Sequence, residues 1–111
     1  MTNPEHPSVP PIEIDPRDWV DVVRILHVQV PGTEVWAFGS RAKRNAKPYS
    51  DLDLALITRQ PLSLDQLASI TDAFATSDLP IRVDLVDWAS SSEAFRALIE
   101  QDKVVVQYAC T

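Results

Sequence analysis

From Trp19 to Val30 the apolar residues Trp19, Val22, Val23, Leu26 and Val30 recur at the spacing of one helical face. Asp15 ahead of Pro16 supplies an N-cap and a first helical position, Asp18 puts an acid in the first turn, and Pro31-Gly32 stops the helix. A short strand is predicted over Glu34 to Phe38, ending at Gly39. Ser40 to Ser50 is polar and basic. Asp51 to Thr58 then alternates before turning apolar, as a strand entering a core does, and Arg59-Gln60-Pro61 breaks it. Ser63 caps a second helix whose inward positions are Leu64, Leu67, Ala68, Ile70 and Phe74. A third strand is expected over Ile81 to Trp88, followed by a helix that a Ser90/Glu93 capping box opens and that buries Phe95, Leu98 and Ile99. Val104 to Tyr108 reads as a last strand. The order helix–strand–strand–helix–strand–helix–strand predicts an α/β (α+β) fold: one mixed β-sheet flanked by helices.

Composition narrows this picture. A length of 111 residues suits a single domain, and four of the nine prolines fall in Met1 to Pro11. The expected organisation is a flexible Pro-rich tail over 1–14 and one domain over 15–111. A net charge of −6 argues against a general nucleic-acid binder, whose footprint is basic. No apolar run approaches the ~20 residues needed to span a bilayer, and the N-terminus has no basic-then-apolar leader pattern. Cys110 is the single cysteine, which permits no internal disulfide and no cysteine-rich zinc site. The expectation is a small cytoplasmic protein with no membrane and no direct nucleic-acid partner.

Candidate chemistry concentrates between Gly39 and Leu54. Gly39 is one of two glycines and stands where a strand turns, so backbone N–H groups there can approach a ligand closely. Ser40 adds a hydroxyl at the start of a helical turn. Arg41, Lys43, Arg44 and Lys47 are four of the ten basic residues, placed within seven positions of an acidic chain. Such a run is usually a solvated loop. Here it joins a phosphate-type turn to paired carboxylates, which points to a polyanionic ligand. Asp51 and Asp53 leave the same face of a strand, ~6.6 Å apart along it, near enough to share one divalent ion. Aspartate is depleted in strands, so two on one face need a compensating cause; hard oxygen ligands suit Mg²⁺. Asp84, flanked by apolar residues in the third strand, is the choice for a third acid that binds metal and takes a proton from an attacking hydroxyl. Asp87 is better explained as a polar exit or capping residue.

Gly39-Ser40, ten residues, then Asp51-Leu52-Asp53 resembles the signature of the DNA polymerase β-like nucleotidyltransferase superfamily. Arg41-Ala42-Lys43 and Ser50-Asp51-Leu52-Asp53-Leu54-Ala55 look most like its minimal members, which include antitoxins paired with HEPN toxins. The resemblance spans residues 15–108 and implies a polymerase β-like mixed-sheet fold. It implies that Gly39 and Ser40 hold triphosphate oxygens of ATP, and that Asp51, Asp53 and Asp84 are catalytic and bind two Mg²⁺ ions. Arg41, Lys43, Arg44 and Lys47 are then candidates to neutralise pyrophosphate. The implied reaction moves AMP from ATP onto a tyrosine hydroxyl of a HEPN-type toxin and silences it. Arg44 departs from the pattern, standing where related loops often carry glycine. With no second domain to grip a polymer, template-directed synthesis is improbable.

The rival from another class is a catalytically idle antitoxin that neutralises its toxin by binding alone. Retention of all three acids speaks against it. Sugar-nucleotide chemistry on an Asp-x-Asp pair leaves the Gly-Ser turn unexplained, and the basic segment has no second glycine before Lys-Ser or Lys-Thr, which excludes a P-loop. His6 and His27 have no metal-ligand neighbour at useful spacing. Trp19, Trp36, Trp88 and Tyr108 read as core or docking residues, and Tyr49 as a turn residue.

Overall fold

The computed structural model describes residues 11–48 and 50–109. The elements are α1 (Pro16–Gln29), β1 (Val35–Phe38), α2 (Ser40–Lys43), β2 (Leu52–Leu56), α3 (Leu64–Ala75), β3 (Val83–Asp87), α4 (Glu93–Asp102) and β4 (Val104–Gln107), with a 3₁₀ turn at Trp88–Ser90. The four strands form one sheet in the order β3-β2-β1-β4. β1 runs antiparallel to both β2 and β4, and β2 runs parallel to β3, so the sheet is mixed as the element order predicts.

Strand alternation sorts the sheet into two unequal faces. Val35, Ala37, Leu52, Leu54 and Leu56 point to one side, where Trp19, Val22, Ile25 and Leu26 of α1 and Ile70 and Phe74 of α3 close the main core. Trp36 and Ala55 point to the other side and meet Ile99 of α4 in a smaller cluster, with Phe38, Val86, Trp88 and Val105 around them. One helix does not span that second face, so aromatic contacts extend the cover. Trp36 and Trp88 meet edge to face with centroids 5.1 Å apart, and the Arg96 guanidinium lies 5.1 Å from the Trp88 ring.

Caps fix the helix starts. The Asp15 carboxylate accepts from the Arg17 N–H at 2.8 Å, and Ser63 and Gln66 form a reciprocal capping box at the head of α3. Three expectations need correction. The cap of α4 is Ser92, whose Oγ accepts from the Phe95 N–H at 3.1 Å; Ser90 falls in the 3₁₀ turn and donates to Asp87 instead. On α4 only Ile99 is fully buried, while Leu98 is 59% exposed and Phe95 38% exposed, because the helix lays a narrow stripe on the sheet. On α3 the inward face is Ile70 and Phe74, and Leu64 at the helix start is 86% exposed.

The N-terminal boundary also shifts. The expected tail lies outside the described residues through Pro10, as do His6, Tyr49 and Cys110. Residues 12–14 are not tail: Ile12 is buried in the main core, Ile14 packs against it, and the Glu13 N–H donates to the Arg41 carbonyl at 2.9 Å. The unequal faces of α4 give a direct check. Ile99→Ala lowers stability by about 2–5 kcal/mol in urea denaturation, the usual loss for a buried aliphatic, whereas Leu98→Ala stays within ~0.5 kcal/mol of the parent.

Candidate active site

Gly39 ends β1 with φ +76° and ψ −157°, a backbone region that essentially only glycine occupies. A Cβ at this position would overlap Asp53 Oδ2 and stand 3.3 Å from its Cγ. The turn is therefore glycine-only for two reasons, conformation and the carboxylate against it. It feeds directly into α2, whose first residue is Ser40 and whose Lys43 N–H donates to the Gly39 carbonyl at 3.0 Å. First-turn N–H groups have no intrahelical partner, so the turn presents donors beside Asp53.

Register brings the acids together. Phe38 pairs with Asp53 across β1 and β2, and Asp53 pairs with Asp84 across β2 and β3. Paired residues on adjacent strands share a face, roughly 4.8 Å apart, so Asp53 and Asp84 lie side by side on the α4 side of the sheet. Asp51 precedes β2 by one residue. Burial, then the negative charges of Asp84 and Asp51, push the Asp53 carboxyl above the usual carboxylate range. Asp87 belongs elsewhere. Burial raises it, but bonds from the Thr58 hydroxyl, the Leu62 N–H, the Ser90 hydroxyl and the Ala89 N–H outweigh that and hold it below the usual range. It ties the end of β2 to the start of α3, which leaves Asp84 as the third acid of the cluster.

The donor set is all carboxylate oxygen, which fits a hard divalent cation such as Mg²⁺. Among the described residues no three His, Cys, Asp or Glu side chains form a ready-made cage. Like charges spread such a set apart, and the Arg82 Nε stands 3.2 Å from Asp84 Oδ1. Mg²⁺ generally takes one or two protein carboxylates and completes its shell with phosphate and water, so Asp51 and Asp53 suffice to begin with.

The basic loop divides. Lys43 pairs with Asp102 of α4 at 3.6 Å, and Arg44 and Lys47 are exposed. Arg41 is 6% exposed and donates to the carbonyls of Ser50, Glu13 and Pro48. It is thereby withdrawn from the phosphate-binding set, a correction to the expected role. Arg44 adopts the left-handed conformation at φ 62°, ψ 36°, just past α2, where glycine is the ordinary choice. Arg82 is the residue that sequence reasoning missed; a base two positions before Asp84 shares its strand face, which was the available signal. A hollow of about 750 Å³ lies instead at the far end of the sheet, lined by Glu34, Thr58 and Trp88, and contains none of the three acids.

A family model for "Polymerase beta, Nucleotidyltransferase" matches residues 19–109. The probable protein adenylyltransferase MntA of Haemophilus influenzae is 49% identical over 96 residues, covering 86% of this chain and 84% of that protein. The chain belongs to the polymerase beta nucleotidyltransferase family. Its fold also matches a toxin-antitoxin structure solved with AMP-PNP, at TM-score 0.69 and 21% identity over 82% of this chain and 73% of that one. A second match, at TM-score 0.64 and 19% identity, is the tri-AMPylated Shewanella oneidensis HEPN toxin in complex with an MNT antitoxin, over 84% and 71% of the two chains. As a nucleotidyltransferase domain this one carries the glycine turn and its acids on the sheet face that α4 leaves half open.

Three outcomes follow from this geometry. The raised Asp53 pKa means that the fold is weakened once that carboxyl ionises, a penalty absent below the ordinary carboxylate range and complete above the raised value. Asp53→Asn therefore raises the melting temperature of the ligand-free protein at pH 7, and the gain shrinks as pH falls through that window. Asp87→Ala does the reverse: its stabilisation is present above the usual range and is lost as pH falls through the lowered value. Separately, Arg44→Gly relieves a left-handed side chain and stabilises the protein by about 1 kcal/mol in the same melts.

Proposed function

We propose that this chain is an antitoxin that transfers AMP from ATP to a tyrosine hydroxyl of a HEPN-type toxin in the cytoplasm. What carries the reading is the glycine-only turn set against Asp53, with Asp84 beside it in register. The close relative named as a protein adenylyltransferase, and the fold shared with an antitoxin bound to an AMPylated HEPN toxin, support the substrate and the partner. Among the described residues no helix is long and apolar enough to cross a membrane.

In this reading the Gly39–Ser40 turn holds the β- and γ-phosphates through N–H groups and the Ser40 hydroxyl. Asp51, Asp53 and Asp84 hold magnesium. Two Mg²⁺ ions bound by these acids would supply charge neutralisation for the phosphoryl group. Asp84, at the open edge of the cluster, accepts the proton of the acceptor hydroxyl as its oxygen attacks the α-phosphorus and the bond to the bridging oxygen breaks, releasing pyrophosphate. Arg44 and Lys47, exposed on the loop, and Lys43 neutralise the leaving charge. An idle antitoxin would gain stability by replacing the repelling acids, so their retention favours catalysis.

The test uses the chain co-expressed with its HEPN partner. Asp51→Asn and Asp53→Asn each reduce labelling of the partner from α-labelled ATP by roughly 10²–10³-fold, the scale of losing a preorganised electrostatic group. Asp87→Asn lowers stability and leaves labelling per folded molecule intact. Undiminished labelling in the Asp53 variant would refute the role given to that acid, and a wild type that leaves its partner unlabelled would leave neutralisation by binding.

A further inference from the structure

We infer that Arg41 is a positioning residue for Asp51, resting on the metal-binding role proposed for that acid. Of the three carboxylates Asp51 is the least constrained by the sheet. Asp53 and Asp84 sit inside β2 and β3, with ladder pairing to fix them. Asp51 lies one residue ahead of β2, and the first nearby contact with β3 is the Leu52 N–H donating to the Arg82 carbonyl at 2.9 Å. Something else must set the direction of the Asp51 side chain.

The guanidinium of Arg41 does this through the preceding peptide. Its Nε donates to the Ser50 carbonyl at 3.0 Å. That carbonyl and the Asp51 N–H belong to one planar peptide unit, so fixing its oxygen fixes the plane from which the Asp51 Cα departs. The other two donors hold the rest of the loop and a third segment. Nη2 reaches the Pro48 carbonyl at 3.3 Å and Nη1 the Glu13 carbonyl at 2.6 Å, while the Glu13 N–H returns a bond to the Arg41 carbonyl. Inside the loop, the Ser50 N–H donates to the Lys47 carbonyl and the Lys47 N–H to Ser50 Oγ, so Ser50 is held from both sides.

The chemistry of the partners separates this role from phosphate binding. All three acceptors are backbone carbonyls, two in the loop ahead of β2 and one in the segment ahead of α1, and the side chain is buried. A planar fork reaches three such acceptors at once; an ammonium of the same charge is a point donor on a flexible stem. A buried cation whose hydrogen-bond partners among the described residues are neutral carbonyls is poorly compensated, which is hard to explain by stability alone. It is explained if the fork is required to aim a carboxylate.

Arg41→Lys tests it, with Mn²⁺ binding to the ligand-free protein followed by electron paramagnetic resonance. Mn²⁺ affinity falls about tenfold, as for other groups that orient a metal ligand. In labelling kinetics kcat falls while KM for ATP holds; a phosphate ligand would raise KM. In an Asp51→Asn background the Arg41→Lys change has no further effect on Mn²⁺, because the group through which it acts is gone. If Arg41→Lys does not fold, Ser50→Gly loosens the same peptide and takes its place in the cycle. Additive effects, or a lowered melting temperature with unchanged Mn²⁺ affinity, would overturn the inference. A wild type that shows the Mn²⁺ cycle but labels no acceptor would overturn the transfer reading alone; a wild type that binds no Mn²⁺ would overturn both.

Discussion

The carboxylate of Asp53 occupies the place where any side chain at position 39 would begin. That exclusion keeps position 39 free of any side chain where the end of β1 meets the start of β2, and most of the site follows from it. The chain leaves β1 in a conformation open only to glycine, enters α2 at once, and must travel back from Arg44 to Asp51 within the loop. Because Phe38 pairs with Asp53 and Asp53 with Asp84, the turn, the acids and the Phe38–Phe95 edge-to-face contact all fall on one face. A side chain at 39 would have to displace the carboxylate that the rest of the cluster is built around.

Assembling three like charges this way weakens the fold, and the molecule separates that cost from its stabilisation. The face packed by α1 and α3 holds nearly all the fully buried aliphatics, including Leu26, Leu52, Leu54, Leu56, Val22 and Val35. The α4 face carries the acids and is closed by one buried isoleucine and a set of aromatic contacts. β1 and β2, the two central strands, are buried toward both layers, so they transmit the stability of the first face to the geometry of the second. Asp87 illustrates the contrast within one strand. Three positions beyond Asp84, it is saturated with donors and stabilising, whereas Asp53 beside Asp84 is destabilised by burial first and by its acidic neighbours second.

Much of this was legible in the sequence because it follows from local periodicity and spacing. The four strands, the three long helices and the Gly-Ser to Asp-x-Asp interval depend on few neighbours, and the preference for Asp84 over Asp87 rested on flanking apolar residues. The errors share a cause. Helical periodicity identifies a stripe but not how wide a surface will cover it, which is why Leu64, Phe95 and Leu98 are exposed. Ser90 and Ser92 are both competent caps, and only the turn after β3 decides between them. Arg41 had the same type of environment in sequence as Lys43, Arg44 and Lys47. Nothing in the run shows that its carbonyl acceptors would include Glu13, 28 residues away.

That division among the cations bears on how an acidic chain presents positive charge beside the glycine turn. The net charge of −6 is spread over the whole surface, and at physiological ionic strength exposed charges are screened beyond ~8 Å. The field at the glycine turn is therefore local. There, Arg41 is turned inward to hold the loop, Lys43 reaches toward α4, Arg44 and Lys47 remain exposed, and Arg82 stands against Asp84. Each placement depends on another: with the inward arginine absent, the loop that displays the outer cations and delivers Asp51 loses its anchor. The basic run is thus one structural unit rather than four equivalent charges, with geometry set by its buried member and charge supplied by its exposed ones.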